Sequence, residues 1–250
     1  MPTKMLSCRP TLAALLCGAS LALCAAVVPA HAQSDGTSTF KVVPKRAAAA
    51  AQAAAQRDFA QFVTHQMQVR GASGAPVDFP LDINDMQDLK DAKVGYGFPV
   101  YTVDPNELLA GRGSLKQMAK ATGQWRFVIL LNQRPIGMAT VELNNGNYET
   151  VAYGAAVLAK DVDASMGYYA DAERSNVRFV RVYQARSDLL EVVGREDGRT
   201  RYAPLHSARE SLLMQQRAVK DGKAGEALMD EAELLQPLRS AVKQNLDASK

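Results

Sequence analysis

The apolar stretch WRFVILLNQRPIGMATVEL (125–143) alternates and then turns. Successive side chains of a strand point to opposite faces. Trp125, Phe127, Ile129 and Leu131 therefore share one face, with Arg126, Val128 and Leu130 on the other. Asn132-Gln133-Arg134-Pro135 breaks the run with turn chemistry, which predicts two strands and not a membrane span. The return strand ends at Asn144-Asn145-Gly146-Asn147, and Asn-Gly is a strong hairpin signal because both residues tolerate positive φ. YETVAY (148–153) supplies a third strand. Apolar residues on both faces of the central strands predict cover on both sides.

The same order recurs after a predicted helix over 155–173, in which Leu158, Val162, Met166 and Tyr169 stand at helical spacing. VRFVRVY (177–183) and LLEVVG (189–194) read as strands, Asp197-Gly198 as a second hairpin turn, and TRYAPL (200–205) as the third strand. Ser207 and Glu210 have the spacing of a capping box that opens another helix. At an offset of 52 the blocks align without gaps: Arg126-Phe127-Val128 falls on Arg178-Phe179-Val180, Asn145-Gly146 on Asp197-Gly198, and Val141 on Val193. The two blocks share an architecture, and common ancestry is the weaker reading.

Upstream, 46–69 is an alanine-rich helix signal. Phe59, Phe62, Val63 and Met67 form one apolar stripe, while the alanine half has none and is expected to be solvated. GASGAP (71–76) reads as a linker, 81–92 as a short, partly buried helix, and 97–103 as a strand. Asp104-Pro105-Asn106-Glu107 has the cap, proline and acid of a helix start, and Gly111 and Gly113 end that helix early. In the tail, Leu228, Leu235, Leu238, Val242 and Leu246 can share a helix face. Pro237 is expected to start or bend a helix there, with Gly222 and Gly225 dividing two arms that pack on the sheet.

These elements predict an α+β fold. Its antiparallel sheet has about six or seven strands in two βββα-like meanders, with packed helices, an N-terminal Ala-rich helix and a helical C-terminal arm. The divisions are 1–32, a signal peptide; 33–76, a polar leader, helix and linker; 77–206, the α+β domain; and 207–250, the helical arm.

The first division changes the composition. Lys4 and Arg9 precede an apolar run ending at Ala30-His31-Ala32, a small-x-small cleavage site before Gln33. Cleavage there leaves 218 of the 250 residues and removes Cys8, Cys17 and Cys24, so the mature chain is read as cysteine-free. That excludes disulfides, thiol catalysis and thiolate metal sites. The 29 basic residues become 27 against 26 acidic ones, and the formal charge falls from +3 to +1. Nothing in that balance attracts nucleic acid. The expected location is the periplasm or the extracellular space, with no membrane span after cleavage.

Candidate chemistry is sparse. His65 and His206 have structural readings, and HExxH, GxSxG, Walker and GxGxxG motifs are absent. Asp82, Asp85, Asp88 and Asp91 lack the glycine of a calcium loop and read as a solvated acidic face. Asp161 and Asp163 resemble a DxD pair, but Val162 between them fits a helix core and leaves them on exposed flanks. No catalytic residue, metal ligand or cofactor is assigned. Arginine and aromatic residues gather in the second meander: Arg178, Arg181, Tyr183, Arg199, Arg201 and Tyr202 are candidates for partner or ligand binding, with Trp125 at the head of the first. Ordinary pairing with Asp188, Glu191 and Asp197 across the strands is the competing reading.

The function expected from these features is that of an exported, non-catalytic protein-binding module: an inhibitor, chaperone-like accessory or assembly factor. Its contact would be a strand edge or the helical tail, and its partner another exported protein. A sensor- or carrier-like domain holding a small anionic ligand between sheet and helix is the alternative, and an unrecognised hydrolase the weaker one.

Overall fold

The computed structural model describes residues 44–70, 74–111, 113–212 and 228–248. The cleavage residues Ala30, Ala32 and Gln33, the three cysteines, residues 71–73 of the linker, and Gly222 and Gly225 lie outside the described residues.

Seven strands form one sheet: β1 (Lys93–Val103), β2 (Ala119–Leu131), β3 (Arg134–Asn144), β4 (Asn147–Gly154), β5 (Val177–Val182), β6 (Ser187–Val193) and β7 (Thr200–Pro204). Their spatial order is β4-β3-β2-β1-β5-β6-β7, so the two meanders flank β1. The first meander turns where the sequence predicted. Asn132 and Gln133 take φ of 49° and 65°, Asn145 and Gly146 take 50° and 84°, and each pair closes a two-residue hairpin. Helix α1 (Lys45–Arg70) and a short 3-10 helix (Met86–Lys90) pack on one face of that meander. The other face is covered by α4 (Ala156–Tyr169). Beyond β1, α2 (Pro105–Ala110), α3 (Leu115–Met118), α5 (His206–Ser211) and α6 (Glu231–Asp247) share a third cluster with Val180, Val182, Leu189 and Tyr202. Asp104 caps α2 as expected, accepting the Asn106 and Glu107 amides at 2.8 and 3.1 Å.

The sheet is mixed, not purely antiparallel. After the edge strand β4 the chain crosses over β3 and β2 as α4 and lays β5 beside β1, where Val100 pairs with Phe179 in parallel. Strand periodicity reads faces and not neighbours, so this pair had no local signature. The meanders also differ residue by residue. Trp125 pairs with Val141, but Val177 pairs with Val192 and not Val193. Phe127 packs in the α1 cluster and Phe179 in the α4 cluster, so the aligned phenylalanines face opposite sides of the sheet. Asp197-Gly198 belongs to a longer loop closed between Gly194 and Arg199, with only Gly198 at positive φ.

Four local expectations change. The alanine half of α1 is docked: Ala51, Ala54 and Ala55 are buried, because side chains this small let the helix approach closely. Ser207 does not cap α5; its hydroxyl donates to Asp188 at 2.8 Å instead. Pro237 does not start a helix: it lies inside α6, whose Leu234, Leu238 and Val242 are buried against the sheet. Asp161 and Asp163 are engaged structurally, Asp161 by the His206 amide and Arg209, and Asp163 by the Tyr96 hydroxyl at 3.2 Å.

Candidate functional site

Sheet edges are where a strand-bearing partner would add, because their backbone groups lack strand partners. Both outer edges here are already engaged. At β4, the Thr150 amide donates to the Asp58 carboxylate at 2.7 Å and the Tyr148 carbonyl accepts from Arg57 at 3.2 Å, so adjacent residues of α1 cap the edge at Tyr148–Thr150. Burial would raise the Asp58 carboxyl, but the bonds from Arg57 and Thr150 hold it below its usual value. At β7, Tyr202 exchanges two backbone bonds with Met229, of 2.9 and 2.8 Å, and Pro204 has no amide to offer.

An inner edge remains. Strand β5 pairs with β1 only at Val100, Tyr101 and Thr102. Among the described residues, Lys93–Gly97 has no strand partner on the side away from β2. A groove of about 480 Å³ runs along this start of the strand. Phe59, Ala60 and Val63 of α1 form one wall and Leu89, Ala92 and Val94 the other, with Lys90 and Lys93 adding positive charge. Lys90 and Lys93 are exposed, as is Ala60.

The residues singled out in the sequence do not converge. Trp125 is core: it is 6 % exposed and stacks on Phe127 with ring centroids 6.1 Å apart. Arg178 and Arg181 are the cross-strand partners of Glu191 and Asp188, the ordinary pairing that competed with a binding role. Strand alternation sends the two pairs to opposite faces. On the α6 face, Arg178 Nε donates to Glu191 at 2.8 Å, Nη2 to the Lys116 carbonyl at 3.0 Å, and the guanidinium lies 4.7 Å from the Tyr101 ring centroid. Glu191 is wholly buried, and burial pushes its carboxyl up although Arg178 pulls it down. Tyr202, its cross-strand neighbour, is buried too and its hydroxyl is pushed well up by that burial. On the α4 face, Arg181 Nη1 holds Asp188 at 3.1 Å, and its guanidinium lies 5.4 Å from the ring centroid of the half-exposed Tyr183. Arg199 is exposed on the β6–β7 loop, and Arg201 donates to Asp197 at 2.9 Å there.

The aspartate series is also taken up locally. Asp82 pairs with Lys160 at 2.6 Å and Arg134 at 2.8 Å, which hold its carboxyl below the usual value, and Asp85 caps the 3-10 helix. Among the described residues no group of three or more His, Cys, Asp or Glu is placed to hold a metal ion. None of the described helices is long and apolar enough to cross a membrane.

Sequence reasoning missed Arg126 and the Lys93–Gly97 segment. Arg126 carried a signal: it is a cation among Val128 and Leu130 on a strand face expected to be covered. Lys93–Gly97 carried none, because an unpaired half-strand is set by where β5 begins. Comparisons with protein-family models, curated proteins and solved structures found no match to this chain.

Proposed function

We propose that this protein is an exported, non-catalytic module that binds another protein by adding one of its extended segments to the inner edge of β1. The observation that carries the reading is the contrast between edges. β4 and β7 are closed by Arg57, Asp58 and Met229, whereas Lys93–Gly97 is unpaired beside an apolar groove. Backbone pairing supplies affinity in strand addition, and a pocket for an alternate side chain supplies specificity. The groove takes an apolar side chain, and Lys90 and Lys93 favour acidic neighbours on either side of it. Export rests on the N-terminal signal pattern and the absence of catalysis on the missing motifs. The helical tail is a weaker candidate for the contact, because α6 spends its apolar face on the sheet.

The test is selection from an unbiased library of extended peptides displayed against the exported protein. Selected peptides should carry an apolar residue flanked by acids. Ala60→Arg, which fills the groove from an exposed position, and Lys90→Glu with Lys93→Glu should each lower their affinity at least tenfold, while Glu149→Lys at the β4 edge should not. Peptides that bind all these variants equally would refute the reading.

A further inference from the structure

The α4 face of the sheet carries two guanidinium groups, Arg126 and Arg181, and one buried carboxylate, Asp188. Arg126 of β2 reaches across β1, and its Cζ lies 5.7 Å from the centroid of Phe179 on β5. Arg181, two residues further along β5, donates Nη1 to both oxygens of Asp188 at 3.1 and 3.2 Å. Asp188 is 3 % exposed, accepts the Ser207 hydroxyl at 2.8 Å, and its negative charge acts on Arg126.

The donors outnumber the acceptors. Nε and Nη1 of Arg126 and Nε of Arg181 are buried and have no hydrogen-bond partner among the described residues. Native proteins pair the great majority of buried polar groups, and a buried donor on a cation is among the costliest to leave unpaired. Arg178 and Arg209, in the same half of the protein, reach both a carboxylate and a backbone carbonyl. Arg201 Nε also lacks a partner, but its guanidinium is held by Asp197 at the β6–β7 loop, so around Asp188 the deficit belongs to Arg126 and Arg181. Arg126 and Arg181 act on Asp188, as does Asp161, which is paired with Arg209, so the cluster has three positive charges against two negative.

We propose that Arg126 and Arg181 bind a small oxyanion, a phosphate or carboxylate group, that supplies the missing acceptors. Guanidinium forks match the spacing of oxygens on such groups, and one excess positive charge suits a singly charged anion. The Arg181 side chain is 28 % exposed, and its neighbour Tyr183 is 44 % exposed, so the anion enters from that end. Asp188 is the positioning residue: it holds Arg181 by Nη1 and leaves its Nε free for the ligand. The site lies on the face opposite the α1 cluster and does not depend on the peptide-binding reading.

The test is a titration of the full protein with inorganic phosphate and with acetate, using sodium chloride at matched ionic strength as the control. At least one oxyanion should raise the melting temperature saturably at millimolar concentration and shift the Nε–Hε resonances of both Arg126 and Arg181. Saturation by phosphate alone points to a phosphoryl ligand, and by acetate alone to a carboxylate. Arg126→Met should abolish the effect while melting no lower than the parent without anion, since it removes a buried, unpaired cation. Arg199→Met, on the exposed loop, should keep the effect. The proposal fails if oxyanions act no differently from chloride or if the saturable shift survives in Arg126→Met. Should that variant not fold, the two Nε–Hε resonances of the parent decide alone.

Discussion

Asp58 accepts the backbone amide of Thr150 at 2.7 Å, a side chain of α1 standing where a neighbouring strand would be. With Arg57 on the Tyr148 carbonyl, it turns the edge of β4 from a template into a closed border. Asp58→Ala is expected to lower stability by about 1–2 kcal/mol. It should also produce concentration-dependent self-association in sedimentation velocity, because the freed Thr150 amide can pair with a second chain. A variant that loses stability but stays monomeric would show that the cap is structural and does not guard the edge.

The same carboxylate sets an acid limit. Asp58 and Asp82 have folded pKa values held below their unfolded ones, so their stabilisation is present above the unfolded value and is lost as pH falls through the folded one. Denaturant unfolding followed from about pH 6 to about pH 2 should show this loss below about pH 4. Asp58→Asn should flatten that limb, being less stable than the parent at neutral pH and closer to it in acid.

Gly97 is fixed by Phe127. The two are Cα partners across β1 and β2, and a Cβ at position 97 would stand 2.2 Å from the phenylalanine ring. Phe127→Ala should cost ~3–5 kcal/mol by lost burial and the cavity left behind. Gly97→Ala should cost ~1–3 kcal/mol in the parent by overpacking. In the Phe127→Ala background it should cost almost nothing, a coupling that a double-mutant cycle measures directly.

Trp125 is expected to behave as core and not as a partner anchor. Trp125→Ala should lower stability by ~3–5 kcal/mol. At temperatures where the variant is still folded, the affinity of the selected peptides should match the parent's.

The first meander was legible because its information is local: alternation at Trp125–Leu131 and positive-φ residues at Asn132-Gln133 and Asn145-Gly146 specify strands, turns and faces. So was the start of α2, where Asp104 caps amides two and three residues on. Relations between distant segments were not legible. The parallel β1–β5 pair depends on the path of α4, and the burial of Ala51 and Ala55 depends on which strand lies beneath them. The grouped arginines misled because sequence proximity on a strand does not mean convergence. Arg178 and Arg181 are three apart, so an odd count sends them to opposite faces. Arg126 comes near Arg181 only through the order of β2, β1 and β5.

Hydrogen exchange along the three edges distinguishes the open segment of β1 from the capped edges of β4 and β7. In the free protein the outward amides of Lys93–Gly97 should exchange fast, while the Thr150 and Tyr202 amides are protected by Asp58 and Met229. Addition of a selected acidic-apolar peptide should slow exchange at 93–97 and leave 147–154 and 200–204 unchanged. Protection that falls on either outer edge, with 93–97 still exchanging as in the free protein, would rule out strand addition at β1.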